Sequence, residues 1–158
     1  MRSKLRPLWR CPKCGARLVT KNMWHSCGRY TLRELFARSD PNVLRLFRKF
    51  EQLIRSVGPV RMTPQKTRVV FQVRVRFAGA YPRKSYLLCA FALTRKITHP
   101  RLVKYEYYGP NWHGHLFRIE SEDQFDARFK RWLREAYAVG TQEHLQKKTT
   151  KSRPSPAP

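Results

Sequence analysis

At 158 residues the chain has length for one main domain with a core of its own, and 34 lysines and arginines against 10 acidic residues give a formal charge of +24. No stretch approaches the ~20 apolar residues of a membrane span, and the basic start Met1-Arg2-Ser3-Lys4-Leu5-Arg6-Pro7 lacks the apolar segment of a secretory signal. These features argue against a membrane partner and for a cytoplasmic, reducing compartment, while the charge, which costs self-repulsion, points to a polyanion, nucleic acid above all.

Residues 1–8 read as a basic arm and 9–29 as a metal-held module. Three of the four cysteines and one histidine fall there, as Cys11-Pro12-Lys13-Cys14-Gly15 and His25-Ser26-Cys27-Gly28. Two ligands two or three residues apart let one tight turn aim both side chains at a single cation. A second pair completes a tetrahedron, which suits Zn²⁺ with soft sulfur and borderline imidazole. Each following glycine suits a turn that needs φ > 0. A disulfide would leave one of the three cysteines odd, and a redox C-x-x-C would sit at a helix N-terminus after a strand, which Trp9-Arg10 does not clearly supply. Cys11, Cys14, His25 and Cys27 are therefore expected to hold one structural zinc. Cys89, in the apolar run Tyr86–Phe91, reads as a buried free thiol.

Residues 30–140 read as an α+β domain: an antiparallel sheet of about four to five strands with two main helices on one face. Thr31-Leu32-Arg33-Glu34 is a capping-box pattern that opens a short helix. Asp40-Pro41 opens a longer one, to Val57, stopped by Gly58-Pro59. Val43, Leu46, Phe47, Phe50, Leu53, Ile54 and Val57 form its apolar stripe. From Val60 the period becomes two. Val69, Phe71, Val73, Val75 and Phe77 alternate with Arg68, Val70, Gln72, Arg74 and Arg76, predicting one strand with a core face and a basic face. Further strands are predicted over 85–94, 101–108 and 115–119, the first apolar on both faces and so central. Ser121-Glu122-Asp123-Gln124 reads as a second capping box opening a helix to Val139, with Phe125, Phe129, Trp132, Leu133 and Ala136 inward and Arg128, Lys130, Arg131 and Arg134 outward. From Thr141 the composition predicts a disordered basic tail carrying Lys147, Lys148, Lys151 and Arg153.

The residues supply no catalytic constellation. The carboxylates Glu34, Glu122, Asp123 and Asp126 fit helix starts, and no Gly-rich phosphate loop or nucleophile elbow is present. One rival is a metal- or histidine-dependent hydrolase or nuclease built on His113, His115 and Glu106; another is a protein-interaction module. The favoured reading is a non-enzymatic, zinc-containing nucleic-acid-binding protein. Lys66, Arg68, Arg74, Arg76, Arg83 and Lys84 would contact phosphates, and Trp112, near a turn with Tyr108, would stack a base.

Trp9-Arg10-Cys11-Pro12-Lys13-Cys14-Gly15, Trp24-His25-Ser26-Cys27, Pro64-Gln65-Lys66-Thr67-Arg68, Phe77-Ala78, Pro82-Arg83-Lys84 and Trp132-Leu133-Arg134-Glu135-Ala136-Tyr137 together resemble a bacterial domain-of-unknown-function family, number 5655. The resemblance covers about residues 9 to 140. It implies a zinc-ribbon-like start on a small α+β domain and brings no established activity or catalytic residues. A looser likeness, of architecture alone, is to small double-wing DNA-binding domains.

Overall fold

A computed structural model describes residues 5–21, 23, 25, 27, 30–143 and 145. Most of the expected tail, and residues 1–4 of the arm, lie outside the described residues. Among those described, no helix is long and apolar enough to cross a membrane.

The chain opens with a two-stranded hairpin, β1 (Trp9–Arg10) and β2 (Arg17–Leu18), which frames the Cys11–Gly15 turn. Trp9-Arg10 is thus a strand after all, but it leads into a hairpin turn and not into a helix. Next come α1 (Leu32–Leu35) and α2 (Pro41–Val57). The capping box at α1 forms as the sequence requires: the Glu34 N–H donates to the Thr31 hydroxyl, and the Thr31 N–H donates to the Glu34 carboxylate. Asp40 stands at the N-cap of α2 without a side-chain cap bond. Its carboxylate meets Lys84 Nζ at 3.0 Å.

Six antiparallel strands follow: β3 (Arg61–Pro64), β4 (Val69–Gln72), β5 (Arg76–Pro82), β6 (Leu87–Leu93), β7 (Leu102–Gly109) and β8 (Trp112–Ile119), in the spatial order β3-β4-β5-β6-β8-β7. The expectation of four to five strands is one or two short of these six. The segment 69–77 is two strands joined by a tight turn at Val73-Arg74-Val75, and β3 precedes it. The period-two pattern runs unbroken through that turn because no Gly, Asn or Pro marks it. Apart from the Val73 N–H, which donates to Val75 O at 3.3 Å, its hydrogen bonds come from elsewhere: the Arg74 and Val75 N–H groups both donate to the Gly140 carbonyl at 3.0 Å.

The last helix, α3 (Ala127–Thr141), begins later than the Ser121 pattern suggests. Glu122–Gln124 forms a single 3-10 turn, and Ser121 makes no cap bond. Asp126 is the true N-cap, its carboxylate accepting from the Phe129 N–H at 2.9 Å. Both long helices lie on one face of β5 and β6. The core between them holds Val43, Phe47, Phe50, Phe71, Phe91, Phe117, Phe129 and Leu133, and Phe50 meets Phe71, Phe125 and Phe129 ring to ring. Central β6 is buried on both faces apart from Ala90, as its continuous apolar run demands. The module is tied to this body where the Gln72 side-chain amide donates to the Arg17 carbonyl at 2.8 Å.

Candidate metal centre and basic surface

The Cys11–Gly15 turn is a compact loop. The Cys11 N–H donates to Ala16 O at 2.9 Å and the Gly15 N–H to Cys11 O at 2.8 Å. Gly15 has φ +75°, a left-handed conformation in which a Cβ is strained, so the glycine is a geometric requirement of the knuckle. The turn brings Cys11 and Cys14 together, and the chain returns with His25 and Cys27. The four ligand atoms lie within 4.8 Å of one another, with Cys11 Sγ 3.9 Å from Cys27 Sγ and Cys14 Sγ 3.2 Å from His25 Nε2. A tetrahedral ion with metal–sulfur bonds of about 2.3 Å has sulfur–sulfur edges of about 3.8 Å, so the quartet has the dimensions of a metal site.

The imidazole supplies a second test. His25 Nδ1 lies 2.8 Å from the Met23 carbonyl, an acceptor only, so Nδ1 carries the proton and Nε2 turns its lone pair toward the sulfurs. The Met23 carbonyl, which sets this tautomer, has no signature in the sequence, since any residue offers that group. The thiols differ among themselves. Backbone N–H groups, that of Cys14 foremost, draw Cys11 down to about 6, whereas loss of solvent raises Cys27 to about 11. Three soft sulfurs and a preset imidazole fit a borderline ion such as zinc, which would bridge the two knuckles and fix the module. Cys89 is fully buried in the core, where desolvation pushes its thiol well up.

The cations expected on the sheet fall into three settings. Arg68 and Arg76 lie on the helix-free face. Arg68 donates to Tyr81 Oη at 2.8 Å and to Gln65 Oε1 at 3.0 Å. Arg76 is half-buried; desolvation and the Arg68 charge pull its guanidinium below the usual value, and only Cys14 acts the other way. Arg74 sits at the hairpin tip, bonded to Gln142 Oε1 at 2.7 Å and to the Arg6 carbonyl. Lys66 and Arg83 are exposed, and Lys84 is exposed but paired with Asp40. One strand face therefore does not carry Arg68, Arg74 and Arg76 together, because the turn removes Arg74. Trp112 starts β8 and is partly exposed; Tyr107 and Tyr108 on neighbouring β7 are each 62% exposed.

His113 and His115 do share a face, the helix-bearing one, but each is committed. His113 Nδ1 meets Tyr105 Oη at 2.7 Å, and His115, 2% exposed, accepts the Ile97 N–H at Nε2 over 3.0 Å. Glu106 pairs in register with Gly114, hence on the opposite face, and binds Lys104. The three residues of the hydrolase alternative are not brought together.

The fold and quartet define a small α+β domain with a Cys3His cluster, a candidate metal site, at its N-terminus. The chain belongs to the family described as Domain of unknown function (DUF5655), whose model matches residues 33–140. That span takes in both long helices and the whole six-stranded sheet, and it begins after the metal cluster. No curated protein and no solved structure matches the chain.

Proposed function

We propose that this is a zinc-containing, non-enzymatic nucleic-acid-binding protein in which the metal orders a knuckle beside a basic sheet face. The observation that carries the reading is the Arg68–Arg76 pair. Arg76 is half-buried and feels the Arg68 charge, and among the described residues no carboxylate pairs with either guanidinium. Such a pair relaxes when a phosphate sits across it, because guanidinium forks match phosphate oxygens and the bound counterions are released. The net charge of +24 supplies long-range attraction, while exposed Lys66 and Arg83 extend the contact. Trp112 and Tyr108 offer rings on which bases stack.

The test is an anisotropy titration of the full chain with labelled single-stranded DNA and RNA over a series of salt concentrations. Affinity should fall steeply with salt, and Lys66→Glu with Arg83→Glu, both exposed and so neutral to folding, should flatten the slope by about two phosphate contacts. Binding that is absent even at low salt ends the proposal.

A further inference from the structure

Away from the sheet face, α3 and the loop after β6 enclose a groove of about 460 Å³. Arg95 and Lys96 line it from the loop, Arg128 and Arg131 from one flank of the helix, and Trp132 from its inner edge. Its single carboxylate, Glu135, accepts from Arg95 at 3.0 and 3.2 Å. The other three cations have no carboxylate within ion-pair distance among the described residues, and Lys96 Nζ instead rests 4.7 Å over the Tyr105 ring. Four cations and one carboxylate leave the concavity with three net positive charges. Those charges repel one another in a partly walled space where water screens them less than on open surface.

The groove is also held open. His115 lies behind the loop, accepting the Ile97 N–H through Nε2, so this buried ring pins the main chain next to Lys96. Nε2 is the acceptor in that bond, and burial, the largest influence on the imidazole, holds it below its ordinary value. His99 packs edge-on against the Trp132 indole at 5.6 Å and fixes the far end of the same loop. The loop backbone that carries Arg95 and Lys96 is thereby held beside the helix before any ligand arrives, which lowers the ordering cost of binding.

We infer that this groove is a phosphate-binding site, taking one phosphoryl group between Arg128 and Arg131 of the helix and Arg95 and Lys96 of the loop. Guanidiniums grip the oxygens in pairs of hydrogen bonds, and the Lys96 ammonium adds a point charge. The phosphoryl group comes either from a nucleic-acid backbone or from a free nucleotide. The site stands independently of the Arg68–Arg76 face.

The experiment is an amide NMR titration of the zinc-loaded full chain, once with inorganic phosphate against chloride at equal ionic strength and once with a short single-stranded oligonucleotide. Phosphate should shift the resonances of Lys96, Ile97, Arg131 and Trp132 saturably. Arg128→Glu with Arg131→Glu, both solvent-facing, should weaken that response on the order of tenfold or more, with an unchanged melting temperature and with the Lys66 and Arg83 resonances still responding to oligonucleotide. If the oligonucleotide moves the groove resonances as well, the backbone is the source; if only phosphate does, the site serves a free nucleotide. Unsaturable shifts spread over all basic residues, or saturation that persists in the double variant, would overturn the assignment. Loss of oligonucleotide binding in Lys66→Glu/Arg83→Glu with the groove response intact would bear on the sheet face alone.

Discussion

The metal module and the α+β body are built on opposite economies of side chain. Between Leu5 and Cys27 the described residues bury only Cys11 and Leu18, and Val19 and Met23 are exposed at 50% and 40%. From Phe36 to Val139 the body buries a continuous aromatic core, with Val43, Phe47 and Phe50 fully inaccessible. So few apolar groups cannot offset the entropy of ordering the module's chain; on the function proposed above, chelation would supply what is missing, whereas the body depends on burial. The lesson is that adjacent segments of one chain are stabilised by chemically separable means and respond to different insults.

The most direct way to break that contrast is Phe50→Ala. It removes a ring that touches Phe71, Phe125 and Phe129, and should cost the body about 3–5 kcal/mol. Denaturant unfolding followed by tryptophan fluorescence measures this, and a loss below about 1 kcal/mol would mean the core is not the body's main support. Next in size is Gly140→Ala. A Cβ there would come within 2.5 Å of Phe77 Cδ1 and 2.9 Å of its Cγ, in a ring only 3% exposed. Overpacking of this kind costs about 1–3 kcal/mol and outweighs the helix preference for alanine, about 1 kcal/mol. A melting temperature at or above that of the parent would refute the tight approach.

Chelation should affect the body less still. Purified protein should carry about one zinc per chain, and Cys11→Ser with Cys14→Ser should abolish it, read by elemental analysis. Stripping the metal should lower the body's stability by no more than about 1 kcal/mol, the net worth of the Gln72–Arg17 hydrogen bond, while the module's own amides lose exchange protection. Joint melting of both regions on chelation would show that they are one cooperative unit. The smallest effect is expected of Thr31→Ala, which removes an exposed cap for about 0.5 kcal/mol by the same denaturant assay.

What the sequence disclosed follows the range of the interactions. The quartet Cys11, Cys14, His25 and Cys27 was legible because both pairs are local and their chemistry is restricted to few residue types. Helix α2 and strand β6 were legible for a related reason: one carries a long 3.6-residue period and the other an unbroken apolar run. The β4–β5 turn was not, since the N–H groups of Arg74 and Val75 are satisfied by Gly140, far along the chain, and its residues Val73-Arg74-Val75 look like strand. The start of α3 was misjudged because Ser121 and Asp126 are both plausible caps, and only packing of Phe125 and Phe129 decides between them. The α3 groove left no trace either, because Arg95 and Lys96 stand more than thirty positions from Arg128 and Arg131.

The Gly140 carbonyl also carries a consequence for how the chain is made. Residues 73–75 emerge from the ribosome well before residue 140, and until then the hairpin tip has no partner for the N–H groups of Arg74 and Val75. A contact of such long sequence separation is expensive to close early, so the first strands of the sheet wait in a loosely tied form while β6, β7 and β8 are added beside them. Completion of α3 is then the event that locks the β4–β5 hairpin. A nascent chain paused before that helix would display the apolar face of β5 and β6 that α3 covers, the kind of surface that chaperones shield.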